Sequence, residues 1–453
     1  MAENKNILFL YCDQMQHNRM GFIDGVAHTP NLDALAREGV HCTHMITQHA
    51  QCAPSRASLF TGKSAHECGV MVNQGFFDHR RHLTHEDTTL ARVLQNHGYE
   101  TAYFGKSHLE APLVDLGFEH GVNYDGKKYS EEQARELGLE GLPNCFISDH
   151  LATRDAIDFV KGRRNGSKPL FLTLSLNLPH PPFCEMEEFI DHFPAEKMTL
   201  PESYYRETYE GKPAFQKVHV EDGQHAAGNE TAQKNMMAQY YSMIAQGDAL
   251  FGQLMEAMKS QGLWDDTIVL FLSDHGDMMG AHRTIKKGTL PYDELYRVPC
   301  LFKLPAVKES SRSVVDDLLS SQAIAGTLLE LVGIEVPESF TGGQFLDAFS
   351  RTEHPENECV FFEHYAAYWG VHPFYGCRTR EFKYVRYYGE DQAEEMYHLE
   401  SDPNELSNLA HVAEYSEQRR ILARLADHWW SRTGGRDARY YASPEFKSGA
   451  LPA

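Results

Sequence analysis

Short apolar runs that end in acidic side chains are the strongest constraint on the fold of this chain. The run Asn6 to Cys12 is followed by Asp13, and the run Thr267 to Leu272 is followed two residues later by Asp274. Such short, almost continuously apolar runs are typical of parallel strands that are buried on both faces. Because open α/β sheets place ligands at the carboxyl ends of their strands, we expect both carboxylates at one sheet edge.

Helical segments separate further runs of the same kind. Residues 101–105 and 170–177 are strand-like, and the stretch 29–40 begins with Thr-Pro and contains a glycine stop, which predicts a capped amphipathic helix. With 453 residues, of which 42% are hydrophobic, the chain can bury a large core. The sequence therefore predicts an α/β protein with one large domain and a smaller companion.

Charge and cysteine content narrow the class of protein. The formal net charge of −22 argues against nucleic acid as a partner. Nine cysteines without tight spacing do not resemble a disulfide framework, which favours a reducing compartment. The first apolar run is too short for a signal peptide, and no apolar stretch reaches the length of a membrane span. We therefore expect a cytoplasmic protein with no membrane partner.

The stretch 51–62 places the thiol of Cys52 just before a predicted helix start. Helix N-termini favour anions, and Arg56 adds a positive charge nearby, so the thiol pKa is expected to be lowered. Cys52 is therefore a candidate nucleophile. The alternative is that Cys52 is a small buried hydrophobic residue, which is the usual role of a cysteine.

The five residues Cys-Ala-Pro-Ser-Arg, from Cys52 to Arg56, resemble the Cys-x-Pro-Ser-Arg signature of the formylglycine-dependent sulfatases, a family within the alkaline phosphatase superfamily. Further motifs extend the resemblance, in the family's order, from residue 7 to about residue 410. In that family a formylglycine-generating enzyme oxidises the cysteine, and the hydrated aldehyde attacks the sulfate ester. The hydrate can then expel sulfate by returning to the aldehyde. The resemblance implies that Cys52 becomes this nucleophile and that Arg56 holds it.

The resemblance also assigns roles to four polar residues outside this signature. Lys106 and His108 lie in a Gly-Lys-Ser-His element, where the lysine contacts the transferred oxyanion and the histidine helps to orient it. His180 follows a strand on a proline-rich loop and is expected to contact the sulfuryl group or the leaving oxygen. His108 and His180 are both candidates for the acid that protonates this oxygen. Alignment on the residues before an Arg-Val-Pro element selects Lys287 as a second lysine of the site. Lys286 remains the alternative, because a shift of the alignment by one position would select it.

A divalent metal ion is implied by the same resemblance. Asp13 and Gln14 follow one strand and Asp274 and His275 follow another, and together they supply oxygen and imidazole ligands for a hard divalent cation. Cys52, as formylglycine, is expected to contact the same ion. Calcium is the usual metal of the family. The histidine ligand makes manganese or magnesium a stronger alternative here than in most members of the family.

The resemblance implies a definite architecture as well. Residues 1–350 are expected to form a large, mostly parallel mixed sheet between helices, as in alkaline phosphatase, and residues 351–453 a small subdomain with an antiparallel sheet and a helix. Polar residues 120–145 and 185–234 are predicted to be irregular lids that select the substrate. The aromatic tail, residues 436–453, is predicted to cross an interface of a homo-oligomer, and packing on its own subunit is the open alternative.

Three functions are compatible with these residues. The first is metal-dependent hydrolysis of a small anionic sulfate monoester by S–O cleavage. The second is hydrolysis of a phosphonate monoester or a phosphodiester at the same site, because these substrates also present a singly charged tetrahedral centre and similar relatives carry the Gln14 and His275 pattern. A catalytically silent metal-binding protein is disfavoured, because every matched position holds a chemically competent residue.

Overall fold

The structure is a computed structural model that describes residues 5–73, 81–163, 168–184, 186, 188–221, 223, 226–305, 312–351, 353–355, 358–367, 370–388, 393–436, 440, 443 and 444. These residues form two β-sheets and the helices that pack on them. The strands are β1 (Asn6–Cys12), β2 (Val40–Ile46), β3 (Glu100–Gly105), β4 (His120–Asn123), β5 (Leu170–Ser175), β6 (Thr267–Ser273), β7 (Arg297–Val298), β8 (Cys300–Lys303), β9 (Val314–Ser320), β10 (Val360–Ala367), β11 (Gly370–Arg378), β12 (Phe382–Tyr387) and β13 (Glu394–His398). The α-helices are α1 (Gly21–Asp24), α2 (Pro30–Glu38), α3 (Cys52–Thr61), α4 (Ala65–Cys68), α5 (Leu90–Asn96), α6 (Glu131–Glu136), α7 (Asn144–Gly162), α8 (Glu202–Arg206), α9 (Ala214–Glu221), α10 (Glu230–Ser260), α11 (Asp293–Tyr296), α12 (Ile324–Leu331) and α13 (Ser416–Arg432).

The larger sheet is mixed, with β1 at its centre. Its strand order is β4-β3-β5-β1-β6-β8-β2-β7, and β9 pairs with the free edge of β2. The five strands from β4 to β6 are parallel, and Ile7 of β1 lies opposite Phe171 of β5 and Ile268 of β6. The short strands β7 and β8 are antiparallel to β2 and are separated by Pro299, which has no N–H to donate. This confirms the predicted large, mostly parallel sheet.

Helices cover both faces of this sheet and so explain its apolar strands. Ile7 and Phe9 pack with α3, α5 and α12, whereas Leu8 and Leu10 pack with α2, α7 and α10. A strand covered on both sides needs apolar residues at every position, because neither face meets water. Asp13 follows at the carboxyl end of β1, at the edge where α3 begins.

The smaller sheet is an antiparallel meander in the order β10-β11-β12-β13, with α13 packed against it. Trp430 of α13 stacks on Tyr375 with 4.8 Å between ring centroids, and Trp429 stacks on Phe361 at 5.2 Å. This confirms the predicted antiparallel sheet with a helix. The division of the chain at residue 350 stays a prediction.

Two further predictions concern the substrate lids and the C-terminal tail. The predicted lids are more regular than expected, because 120–145 contains β4 and α6, and 185–234 contains α8 and α9. Local capping explains part of this regularity, since Ser130 and Gln133 form a capping box at the start of α6. The tail prediction falls mostly outside the described residues. No helix in the described part of the chain is long and apolar enough to cross a membrane.

A buried charge cluster joins the two sheets. The ammonium of Lys383, on β12, lies 2.6 Å from a carboxylate oxygen of Asp293 and 2.7 Å from one of Glu405, and its side chain is fully buried. Arg378 adds a second cation 3.1 Å from Asp293. Burial opposes ionisation of Asp293, but Arg378 and Lys383 outweigh it and hold the pKa of Asp293 well below its ordinary value.

We expect Lys383→Met to lower the free energy of unfolding by about 3–5 kcal/mol, because it leaves two acidic groups buried without their shared cation. The matched control is Arg420→Met, which removes a cation from an exposed pair with Glu417 and should leave the free energy of unfolding almost unchanged. Chemical denaturation followed by circular dichroism measures both changes. Equal stability of the two variants would contradict a structural role for the cluster.

Candidate active site

The active-site candidate is built around the first turn of α3. Strand β2 leads through residues 47–51 into this helix, which begins at Cys52 with Gln51 at its N-cap position. The hydroxyl of Ser55 donates a 2.7 Å hydrogen bond to the main-chain carbonyl of Asp274, at the end of β6. This bond fixes the helix start against the sheet edge, so that Cys52 lies at a helix N-terminus, as predicted.

Arg56 connects the carboxyl ends of three strands. Its guanidinium lies 2.9 Å from a carboxylate oxygen of Asp274, after β6, and 3.3 Å from one of Asp13, after β1. It also donates to the main-chain carbonyl of Lys106, after β3, at 2.8 Å. The ring of Tyr11 lies beneath it, with 4.5 Å from the guanidinium carbon to the ring centroid. All of these side chains are buried, so the cation is bound through a complete set of partners.

The two carboxylates at this edge differ in their charge balance. The ammonium of Lys106 lies 2.8 Å from Asp13. Burial opposes ionisation of Asp13, but Lys106 and Lys287 outweigh it and hold the pKa of Asp13 well below its ordinary value. Burial and the neighbouring charge of Asp13 raise the pKa of Asp274. The pair therefore favours additional positive charge at this edge.

The thiol of Cys52 lies among cationic and polar groups. Lys287 donates to its sulfur at 2.8 Å, Nε2 of His275 lies 3.3 Å away, and a carboxylate oxygen of Asp13 lies 3.6 Å away. Burial and Asp13 favour the neutral thiol, but Lys287 and Lys106 outweigh them and hold the thiol pKa well below its ordinary value. The unmodified side chain is therefore predisposed to be a thiolate.

Four donor atoms converge beside this sulfur in a way that suits a divalent cation. One atom each of Asp13, Cys52, Asp274 and His275 lie within 4.8 Å of one another, and all four residues are buried. Nδ1 of His275 lies 2.8 Å from the carbonyl of Gly276, which accepts its proton, so Nε2 is free to act as a ligand. Two carboxylates and an imidazole are ligands that a hard or borderline divalent ion accepts.

Gln14 completes this donor set, and Asp277 orients it. The Gln14 amide nitrogen donates to Asp277 at 2.5 Å, so its amide oxygen turns toward the donor atoms. Lys287 donates to that oxygen at 2.8 Å and lies 3.2 Å from Nε2 of His275. The donor atoms around this centre therefore already bind one cation, the ammonium group of Lys287. We conclude that the residues present fit a divalent metal ion.

Asp277 received no role in the sequence analysis, although it lies in the same segment as Asp274. Three further residues were also not predicted. Asn73 accepts a 2.9 Å hydrogen bond from the main chain of Ala53, Ser175 accepts one from Arg56 at 2.8 Å, and Tyr11 lies under Arg56. The only clue in the sequence was an acidic residue two positions after the predicted ligand His275. This clue concerned Asp277 alone.

The structure brings together most of the predicted residues, namely Asp13, Gln14, Cys52, Arg56, Lys106, Asp274, His275 and Lys287. Lys287, not Lys286, reaches the thiol, and the main-chain N–H of Lys286 instead donates to Asp277 at 3.0 Å. The roles of these residues in turnover stay predictions.

The two histidine candidates are placed differently. Nδ1 of His180 lies 2.7 Å from the carbonyl of Pro181. Burial and the charges of Lys106 and Lys287 lower the pKa of His180 well below its ordinary value. The Nδ1 atom of His108 is buried and has no hydrogen-bond partner among the described residues. His180 thus lies within electrostatic reach of Lys106, Lys287 and the Cys52 thiol.

Solved structures of similar fold include enzymes of two kinds. A protein solved in complex with its substrate D-glucosamine-2-N,6-O-disulfate superposes with a TM-score of 0.80 and 22% identity, over 96% of this chain and 99% of that one. The phosphonate monoester hydrolase of Agrobacterium radiobacter superposes with a TM-score of 0.79 and 22% identity, over 95% of this chain and 96% of that one. At these identities the likeness establishes the fold.

Sequence comparisons establish the family. The chain is 27% identical to an arylsulfatase of Clostridium perfringens, over 93% of each chain, and 24% identical to an N-acetylglucosamine-6-O-sulfatase of Bacteroides thetaiotaomicron, over 94% of this chain and 86% of that one. A family model described as N-sulphoglucosamine sulphohydrolase, C-terminal, matches residues 280–429. The family model described as Sulfatase matches residues 5–334, which is more than half of the chain. The chain therefore belongs to the sulfatase family of sulfuric ester hydrolases.

Proposed function

We propose that this protein hydrolyses a small anionic sulfate monoester by S–O cleavage, with Cys52 as the precursor of the nucleophile. The observation that carries this proposal is the surroundings of the Cys52 sulfur. Three cationic side chains, Arg56, Lys106 and Lys287, lie around it or bind the adjacent carboxylates. A buried site with this charge attracts a tetrahedral anion and stabilises charge on its oxygens.

Two groups complete the proposed site. Formylglycine, produced from Cys52 by a separate maturation enzyme, supplies a hydrated aldehyde that attacks sulfur and later releases sulfate. Asp13, Gln14, Asp274 and His275 would hold a divalent ion, which would supply Lewis acidity toward the substrate oxygens. Calcium is the first candidate, and the imidazole ligand also suits manganese or magnesium.

Lysine side chains bind the substrate in this scheme. The ammonium of Lys287 contacts the Cys52 sulfur, and the ammonium of Lys106 contacts Asp13 at the same sheet edge. We assign the nonbridging oxygens of the sulfate to these two ammonium groups. Arg56 keeps its contacts with both acidic ligands and so holds the ligand geometry while the substrate binds.

His180 is the better placed proton donor for the leaving oxygen. With Nδ1 directed to the Pro181 carbonyl, Nε2 is the nitrogen that exchanges a proton with the substrate. Burial, together with the charges of Lys106 and Lys287, lowers the pKa of His180 in the free site, and a bound sulfate ester would add a negative charge near these groups. The anion therefore raises the pKa of His180 and favours the protonated form that donates. His108 is the second candidate.

The named relatives support a sulfate ester as the substrate. One curated relative is named for aryl sulfates and another for the 6-O-sulfate of N-acetylglucosamine, and one similar structure holds a sulfated glucosamine. A cytoplasmic location is part of the proposal and rests on the sequence, as does a homo-oligomer with the tail at its interface. The described cysteines are all free thiols, in keeping with a reducing compartment.

We expect metal-loaded protein that carries formylglycine at position 52 to hydrolyse sulfate monoesters faster than phosphonate monoesters or phosphodiesters. The measurement is kcat/KM for matched 4-nitrophenyl esters of the three kinds. Gln14 and His275 leave only two carboxylates in the metal site, which keeps the phosphonate alternative open. A higher kcat/KM for the phosphonate or the phosphodiester would replace the proposed function by that alternative.

We expect chelation to abolish turnover and addition of calcium, manganese or magnesium to restore it.

Asp277→Asn tests the orientation of Gln14, because the asparagine keeps one oxygen for the main chain of Met279 and Lys286 and presents an NH₂ group to Gln14. The Gln14 amide must then turn over and present nitrogen to the metal. This change should lower metal affinity by about 10–100-fold.

Metal affinity in that experiment is measured by isothermal titration calorimetry. The control is Asp347→Asn, which replaces an exposed acid that pairs with Arg351 and should bind metal as the wild type does. Fully active protein without a stoichiometric divalent ion in elemental analysis would contradict the proposed metal site. Unchanged affinity in Asp277→Asn would contradict the orientation of Gln14.

A further inference from the structure

Asp149 is a buried acid that has no role in the reaction as described so far. It belongs to α7, which packs on strands of the larger sheet. Each oxygen of its carboxylate accepts one main-chain hydrogen bond, from the N–H of Asn177 at 2.7 Å and from the N–H of Leu178 at 2.9 Å. Both donors belong to the loop that follows β5 and carries His180.

These two N–H groups lie where the hydrogen-bonded ladder of β5 ends. Strand β5 pairs with β1 and β3 as far as Ser175, and the N–H of Leu176 still donates to the carbonyl of Tyr11 at 2.8 Å. The next two N–H groups along the chain have the carboxylate of Asp149 as their acceptor instead of a strand carbonyl. Because a buried main-chain N–H needs an acceptor, Asp149 fixes the course of the chain beyond the strand.

The same loop is bonded to two residues of the candidate active site. The main-chain N–H of Asp13 donates to the carbonyl of Leu178 at 3.1 Å, and the N–H of His180 donates to the carbonyl of Asn177 at 2.8 Å. The imidazole of His180 is held within its own loop, through the 2.7 Å contact of Nδ1 with the carbonyl of Pro181. The position of His180 therefore depends on the main chain that Asp149 holds.

A carboxylate suits these donors better than an amide does. It offers an acceptor at both oxygens, whereas an asparagine would present an NH₂ group to one of the two N–H groups. Burial raises the pKa of Asp149 to about 7, although both N–H donors and the charge of Lys106 oppose this shift. Assays carried out well above neutral pH therefore keep the carboxylate ionised.

We propose that Asp149 is a positioning residue, which holds the loop after β5 so that Nε2 of His180 reaches the leaving oxygen. When the S–O bond breaks, its electron pair stays on this oxygen, and the proton comes from His180. The inference rests on the proposed function, since it concerns the proton donor of the same reaction. It gives α7 a part in the departure of the leaving group, although Asp149 itself does not contact the substrate.

The test compares Asp149→Asn with wild type on substituted phenyl sulfates whose phenols differ in acidity. The less acidic the phenol, the more its departure depends on a proton donor. We expect Asp149→Asn to lower kcat/KM for phenyl sulfate about 10–100-fold more than for 4-nitrophenyl sulfate, because a displaced His180 no longer protonates the leaving oxygen. His180→Asn should show the same dependence on the leaving group. In the His180→Asn background, Asp149→Asn should add little to it.

Asp248→Asn is the matched control. Asp248 is a buried acid on α10, and its carboxylate accepts main-chain hydrogen bonds from Asn31 at 3.1 Å and from Leu32 at 2.8 Å, in the first turn of α2. Burial raises the pKa of Asp248 to about 6, so the two acids also have similar electrostatic environments. The control should lose as much stability in thermal unfolding as Asp149→Asn and keep the leaving-group dependence of the wild type.

An equal loss for every phenyl sulfate in Asp149→Asn would indicate a structural role and overturn the inference. So would unchanged kinetics, the same leaving-group dependence in Asp248→Asn, or its absence in His180→Asn. If metal-loaded wild type with formylglycine hydrolysed no sulfate ester at all, the proposed function itself would fail. Activity of the wild type thus distinguishes the failure of one claim from the failure of the other.

Discussion

The buried ion pairs of Arg56 hold together the sheet edge that carries the candidate active site. One guanidinium binds acidic residues that follow β1 and β6 and a carbonyl that follows β3, while its own helix carries Cys52. Burial of such charges costs several kcal/mol per ion unless the partners are complete, and here each donor nitrogen of Arg56 has an acceptor. Loss of Arg56 would therefore disturb the helix start at Cys52 and both acidic residues, Asp13 and Asp274, at once.

This arrangement would allow one site to bind both the proposed metal ion and an anion. Asp13 and Asp274 provide negative charge on the side of the proposed cation, and Lys106 and Lys287 provide positive charge toward the nucleophile. Because the groups are buried, their fields are weakly screened, and the pKa of the Cys52 thiol is lowered although burial alone would raise it. A tetrahedral monoanion would meet this electrostatic environment at the first turn of α3.

Several features of the site could be predicted from sequence because they depend on local pattern. The run before Asp13 and the helix that begins at Cys52 follow from apolar periodicity and capping, and the carboxyl-edge rule places Asp274 beside them. The contacts of Asp149 with the loop before His180 could not be predicted, because only tertiary packing joins α7 to the end of β5. The same holds for the amide orientation of Gln14, which depends on one hydrogen bond to Asp277.

A formylglycine nucleophile is tested most directly by the dependence of sulfatase activity on the chemical state of residue 52. Preparations with different fractions of formylglycine, measured by mass spectrometry of the peptide that contains Cys52, are assayed with 4-nitrophenyl sulfate under identical metal loading. If the hydrated formylglycine is the nucleophile, the specific activity rises in proportion to the formylglycine fraction and extrapolates to zero for the pure thiol. Equal activity of fully unmodified protein would contradict it.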